Sequence, residues 1–321
     1  NVQIVEELSS QTNKLQMVLN FIYFLFLILR NKPDIIYYVP SETFRSRITL
    51  FCAVHTINLL KINSRLILHF HRSDIENFDK TGISLIKSKN IQSSLIFISD
   101  IIKNDFNRKF NQCNSYDTFL IQNFVYQLPK KNKRFEHYDS CIKISFVSNI
   151  CEEKGFKRYL QICEILIKEY QLDIELSIHG KCINGYDLFQ LKKDLSARFK
   201  KFQIGGKYTE SELPSILSNT DLVLFPSKNE GDPLIIHELV AYNVPFFCSD
   251  VGFVREFLGA DFEYFITSNG LFHNRNAAKK IANCLMGSNL NISYSSEDIL
   301  GKRYVNHQKQ LEYFFKKNEG Y

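Results

Sequence analysis

The stretch "DLVLFPSKNEGDPLIIHELVAYNVPFFCSD", Asp221 to Asp250, carries the reading of the fold. Two short, continuous apolar runs, "DLVLFPS" (Asp221 to Ser227) and "PFFCSD" (Pro245 to Asp250), enclose a segment of helical character. Unbroken apolar runs of this length predict strands buried on both faces, and a helix between two of them predicts a parallel pair joined by a crossover. Asp232 followed by Pro233 predicts the helix start, an oxygen-bearing N-cap and then a proline whose missing N–H costs nothing there. The helix is expected to run from Pro233 to Tyr242, leaving the amides of Leu234, Ile235 and Ile236 unpaired at its positive end. Such an end is a place for a phosphate or for sugar hydroxyls.

Ligands of open α/β sheets sit beyond the carboxyl ends of the strands, and Glu230 lies just past the first of these two. Glu238 falls further along the helix, about 9 Å from the cap at ~1.5 Å per residue. Two carboxylates at different depths can address different parts of one extended ligand. A ribose diol suits the deeper one, because a carboxylate accepts two hydroxyl hydrogen bonds. As a cap, Asp232 would place a negative charge where a phosphate approaches and would compete for the same N–H groups.

The same alternation extends in both directions. Upstream, "DIIYYVP" (Asp34 to Pro40), "RLILHFH" (Arg65 to His71), "SLIFIS" (Ser94 to Ser99) and "TFLIQN" (Thr118 to Asn123) predict one parallel sheet. A polar, basic passage, "QLPKKNKRFEHYDS" (Gln127 to Ser140), then predicts a linker. A second series follows: "IKISFVS" (Ile142 to Ser148), "IELSIHG" (Ile174 to Gly180), "FQIGG" (Phe202 to Gly206) and the two strands above. At 321 residues the chain is long enough for two such lobes. Residues 1–130 are expected to form the first and 138–302 the second, with the closing helix, 303–321, packing back on the first. Tyr304, Leu311 and Phe314 are among that helix's apolar positions.

A formal charge of +6, spread in short clusters such as "PKKNKR" (Pro129 to Arg134), suits an anionic small ligand or an anionic membrane surface. Nucleic acid would call for a continuous basic face. Eight cysteines stand singly, without the pairings of a zinc site or a disulfide framework, which points to a reducing, cytoplasmic compartment. The most apolar stretch, Met17 to Arg30, contains Asn20 and is shorter than the roughly 20 residues of a spanning helix. It is read as a buried helix, with a place on a membrane surface as the other reading.

From Phe225 to Leu258, "FPSKNEGDPLIIHELVAYNVPFFCSDVGFVREFL" resembles the C-terminal signature of the family 4 retaining glycosyltransferases, whose E-x7-E motif falls on Glu230 and Glu238. Fainter likeness extends through "FVSNICEEKGFKRYL", "KPDIIYYVPS", "IFISDIIKNDF" and "IQNFV". The resemblance implies an α/β protein of GT-B fold, two Rossmann-like lobes with parallel sheets facing a central cleft, the donor held mainly by the second lobe. It further implies transfer with retained anomeric configuration, no metal and no cofactor, the nucleotide sugar being a substrate. By motif position Glu238 would bind the ribose, Glu230 would stand near the donor sugar, and Gly231, Asp232, Pro233, Leu234 and Ile235 would line the sugar and diphosphate.

The family usually carries a Gly-Arg pair and then Lys-Gly in the loop "SNICEEKG", the two cations neutralising the leaving diphosphate. Lys154 and Gly155 match, whereas Ser148 and Asn149 replace the first pair, so that another base such as Lys157 or Lys181 would have to compensate. Gly206 matches a family turn glycine, which makes Tyr208 a neighbour of the base. His71 ends its strand where related enzymes place a histidine facing the sugar, and His69, by alternation, points to the same side. Ser99 and Asn123 match family strand ends, although capping also explains both. The family's opening strand and glycine-rich loop have no counterpart before "KPDIIYYVP". Either roughly 30 to 50 residues, about one βα unit, belong ahead of this sequence or the lobe is shortened.

The expected activity is therefore a bacterial hexosyltransferase using a UDP- or GDP-sugar. Its acceptor would be a glycan or lipid-linked hydroxyl of a surface polysaccharide (O-antigen, capsule or lipooligosaccharide), reached at the inner face of the membrane. Two other readings stay open: a non-transferring enzyme of the same fold, such as a nucleotide-sugar epimerase, and a catalytically weak nucleotide-binding subunit.

Overall fold

The computed structural model describes residues 14–40, 44–71, 92–110, 116–125, 141–266, 271–287 and 296–318. The expected linker, Gln127 to Ser140, lies outside them. The chain divides into two compact units, residues 1–122 with 307–321, and residues 123–306.

The first unit holds α1 (Lys14–Asn31), β1 (Ile35–Tyr38), α2 (Phe44–Leu59), β2 (Arg65–Phe70), β3 (Gln92–Phe97), α3 (Asp100–Phe110) and β4 (Asp117–Leu120). The strands form one parallel sheet in the order β1-β2-β3-β4. Leu66, Leu68, Leu95 and Phe97 point to one face and join Val54, Ile57, Ile102 and Phe106 of the helices in the core. Ile67, Ile96 and Phe119 point to the other face, where Phe314 packs on them. Both faces of β2 and β3 are thus covered, which is why these strands read as unbroken apolar runs.

α1 departs from the buried helix expected of Met17 to Arg30. Ile22, Tyr23, Phe26 and Leu29 are 47–57 % exposed. The helix meets the core through Phe24 and Ile28, one turn apart. No helix among the described residues is long and apolar enough to cross a membrane.

The second unit runs β5 (Ile142–Val147), α4 (Phe156–Tyr170), β6 (Ile174–His179), α5 (Leu188–Arg198), β7 (Phe202–Gly206), α6 (Leu213–Ser218), β8 (Leu222–Phe225), α7 (Leu234–Ala241), β9 (Phe246–Ser249), α8 (Val254–Leu258), β10 (Phe265–Ile266) and α9 (Leu271–Met286). Its parallel sheet has the order β10-β9-β8-β5-β6-β7. The chain winds outward from β5 in one direction, then returns to β8 and winds in the other. The strand order therefore reverses between β5 and β8, and the crevice at their carboxyl ends is where this architecture places a ligand. The core lies in two layers. Phe156, Tyr159, Ile162 and Leu166 of α4 pack with Ala278 and Ile281 of α9 on one face. Ile236, Leu239 and Val240 of α7 pack with Leu217, Val254 and Phe257 on the other.

The closing helix is α10 (Ser296–Asn318). Its buried positions are Leu300, Arg303 and His307, with Phe314 half-buried against Phe119. Tyr304, expected among its apolar positions, is instead 46 % exposed. The inward stripe carries polar groups because the chain just after β4 has main-chain carbonyls that no strand satisfies. Arg303 Nε donates to the Asn123 carbonyl at 3.0 Å, and His307 Nδ1 to that of Gln122 at 2.8 Å.

Candidate active site

The loops after β5 and β8 meet at the switch point. Lys154 Nζ donates to both oxygens of Glu230, at 2.7 and 2.8 Å, and Ser227 Oγ donates to Glu230 Oε1 at 2.7 Å. The pair is well covered, with side-chain exposures of 21 % for Lys154 and 9 % for Glu230. Two residues that the sequence placed in separate motifs thus form one ion pair, and the lysine expected to face a diphosphate faces a carboxylate.

Gly155 makes this approach feasible. Its φ is +73°, and a Cβ there would lie 1.9 Å from the Pro226 carbonyl oxygen. The two loops are joined further by the Lys228 amide, which donates to the Glu153 carbonyl at 2.9 Å. On the other side, a Cβ on Gly252 (φ +57°) would lie 2.3 and 2.4 Å from the carbonyl oxygens of Glu230 and Gly231. The Phe253 amide donates to Gly231 O at 2.8 Å.

The helix start differs from expectation. α7 begins at Leu234 with Pro233 as its cap residue, and no side chain caps it. The Asp232 carboxylate is turned inward: Oδ1 accepts from His237 Nε2 at 2.7 Å, and Oδ2 accepts from Arg303 Nη2 and from the Asn123 amide. Burial beside a guanidinium and an imidazole outcompetes capping, since a buried carboxylate needs charged or strong donors more than a helix end needs a cap. The expected competition of Asp232 with a ligand is therefore removed. The Ile236 amide donates to Pro233 O at 3.0 Å, which corrects its reading as unpaired. The amides of Leu234 and Ile235 have no acceptor among the described residues.

At the far side of α7, Glu238 is half-buried. Burial, and then the charge of Glu210, push its carboxyl up to about 7. Tyr208 lies within its field, with a phenol pushed up to about 12 by burial and then by Glu238. Tyr208 follows Gly206, whose φ of +71° is a left-handed conformation natural to glycine. Glu238 and Tyr208 are brought together, as are Lys154, Glu230 and Gly231. Asn149 is exposed in the loop after β5, Lys157 is exposed on α4 and Lys181 is half-buried.

His71 belongs to the first unit and is exposed at the end of β2. His69 and His71 lie on one side, ring centroids 4.0 Å apart. His69 is buried, its Nδ1 is hydrogen-bonded to the Tyr37 hydroxyl, and burial followed by the His71 charge lowers it to about 3. Ser99 Oγ accepts from the Ile102 amide at 3.3 Å and so caps α3. Asn123 caps nothing; its Nδ2 donates to the Asp232 carbonyl at 2.7 Å. Sequence reasoning missed Ser227, Arg303 and His237. A serine directly after an apolar strand was a signal for the first, while the other two offered none.

The family described as "Glycosyl transferases group 1" matches residues 129–291, just over half of the chain. No curated protein matches it. Among solved structures, TarM, known also as an S. aureus variant in complex with UDP, is 19 % identical with a TM-score of 0.60, covering 90 % of this chain. HepE of Anabaena in complex with UDP-glucose is 14 % identical with a TM-score of 0.67, covering 92 % of this chain and 82 % of its own. OtsA is 14 % identical with a TM-score of 0.65, covering 97 % and 79 %. The chain spans 58 % of the length of the TarM structures. At such identities the likeness is one of fold, and the fold is GT-B, in line with the two α/β units and with a crevice at the β5/β8 switch point. Together with the match across almost the whole second unit, this makes the chain a member of the glycosyl transferases group 1 family.

Proposed function

We propose that the protein is a family 4 retaining glycosyltransferase that moves a sugar from a UDP- or GDP-sugar to an acceptor hydroxyl of a bacterial surface polysaccharide. The observation that carries the reading is the Lys154–Glu230 ion pair, set at the switch point by the loop that leads to the free amides of Leu234 and Ile235, with Glu238 further along α7 and Tyr208 of the loop after β7 near it. In the transfer, the bond from the anomeric carbon to the diphosphate breaks, the acceptor oxygen bonds that carbon on the same face, and the hydroxyl proton passes to the departing phosphate oxygen. Negative charge grows on the diphosphate. The Lys154 ammonium and the two amides would stabilise it. Glu230 holds the ammonium in place and accepts hydroxyls of the sugar, and Glu238 accepts the ribose diol.

Support for a uridine nucleotide comes from TarM and HepE, whose structures hold UDP and UDP-glucose. The roles of Asn149 beside the phosphates and of His71 at the donor sugar rest on the family resemblance. Metal independence, a glycan or lipid-linked acceptor, and a cytoplasmic site at the inner membrane face are parts of the same proposal. It is tested by offering UDP- and GDP-sugars with lipid-linked and glycan acceptors, with and without chelator, and measuring diphosphate release and the anomeric configuration of the product. Release with retained configuration is expected. No release from any pair, together with nucleotide binding unchanged in Glu238→Ala, overturns it.

A further inference from the structure

Asp232 stands between the two glutamates of the motif, yet it is 5 % exposed and directed into the protein. Besides its bonds to Arg303 and His237, its Oδ2 accepts the Asn123 amide at 3.1 Å, and its main-chain carbonyl accepts Asn123 Nδ2 at 2.7 Å. Arg303 closes the circuit by donating Nε to the Asn123 carbonyl at 3.0 Å. The guanidinium lies 4.5 Å from the ring centroid of Phe253, the residue whose amide holds Gly231. His237 stacks on Phe257, with centroids 4.0 Å apart. Segments at 123, 231–237, 253–257 and 303 are locked together by groups that contribute nothing to capping α7.

A buried carboxylate and guanidinium are poor stabilisers compared with apolar side chains of the same volume, so a network of this kind fixes geometry more than it adds stability. The geometry fixed is that of the loop from Glu230 to Leu234. Glu230 is held by Lys154 and Ser227, Gly231 by Phe253, and Asp232 by Arg303 and Asn123.

We propose that Asp232 is a positioning residue, which through Arg303 of α10 and through Asn123 sets the shape of the loop that presents Glu230 and the α7 amides to the nucleotide sugar. The proposal rests on the donor reading above. It assigns a part in donor affinity to Arg303, a residue 71 positions from Asp232.

The test is steady-state kinetics of the full chain with saturating acceptor and varied donor. Arg303→Gln is expected to raise the donor KM about tenfold while kcat changes by less than about threefold, because mere loss of folded enzyme lowers kcat and leaves KM alone. Arg303→Lys, which keeps the charge and loses the fork, falls between. The double variant Asp232→Asn/Arg303→Gln, a neutral hydrogen-bonded pair, recovers KM to within about threefold of wild type. A folded Arg303→Gln with a wild-type donor KM overturns the proposal and leaves the donor reading intact. Should Arg303→Gln fail to fold, Asn123→Ala decides: it removes one bond to the Asp232 carbonyl and spares the ion pair. A raised donor KM in Asn123→Ala supports the proposal and an unchanged one overturns it. A wild-type chain that releases no diphosphate from any UDP- or GDP-sugar overturns the donor reading itself, and the proposal with it.

Discussion

Glu238 is held at about 7 by burial and by Glu210, against an ordinary 4.5. The native state therefore keeps a proton that the unfolded chain gives up, and stability falls as pH rises between those two values. Thermal unfolding followed from pH 4.5 to 8 is expected to show that decline in the wild type and a flatter profile in Glu238→Gln. Donor binding has the opposite sign. Only the ionised carboxylate accepts both ribose hydroxyls, so affinity for a nucleotide sugar should rise as pH passes about 7 and lose that dependence in Glu238→Gln, with a loss of about tenfold at high pH. A nucleotide sugar serves better than a free diphosphate because its phosphates do not titrate in this window. Gly155 offers a second measurement. Alanine there meets both a positive φ and the Pro226 carbonyl, and a destabilisation of the second unit by at least about 1–3 kcal/mol is expected in denaturant unfolding of its transition.

At the scale of elements, α1 bears Ile22, Tyr23, Phe26 and Leu29 outward, with Arg30 at its end. If that face is the membrane contact of the proposed function, Phe26→Ser with Leu29→Ser should weaken co-sedimentation with vesicles rich in anionic lipid. Both positions are about half exposed, so stability should stay within about 1 kcal/mol of wild type. Unchanged vesicle binding would remove α1 from the interface. The same helix shows where sequence reading reaches its limit. Its apolar composition was legible, but which side faces the core depends on Phe24 and Ile28 joining the first unit's core, a tertiary fact. The strands β8 and β9 were legible because burial on both faces leaves an unbroken apolar run. Two-residue β10 has too little pattern to be read. Motif spacing and strand ends singled out Lys154, Glu230, Glu238 and Tyr208, but the pairing of Lys154 with Glu230 was not legible, since it joins two loops 76 positions apart. The capping role read for Asp232 failed because two of its three partners lie 71 and 109 positions away, beyond any local rule.

The molecule is two units with separate cores: one around Leu66, Phe97 and Phe106, the other around Phe146, Leu176, Leu224 and Leu239. Chains built this way commonly unfold in more than one step, so a single midpoint would not describe this protein. The groups assigned to the nucleotide all belong to the second unit, since Lys154, Glu230, Glu238 and Tyr208 lie within residues 123–306. A ligand that binds only the native form of that unit stabilises it by about 2.7 kcal/mol at a hundred times its Kd, and leaves an independent unit untouched. Calorimetry of the full chain with and without UDP should therefore show one transition moving upward and one staying in place. Hydrogen exchange should assign the protected amides to β5, β8 and α7, and Glu238→Ala should abolish the shift while leaving both transitions present. Movement of both transitions by equal amounts would show that the units unfold together, and movement of the other one alone would place the nucleotide in the first unit.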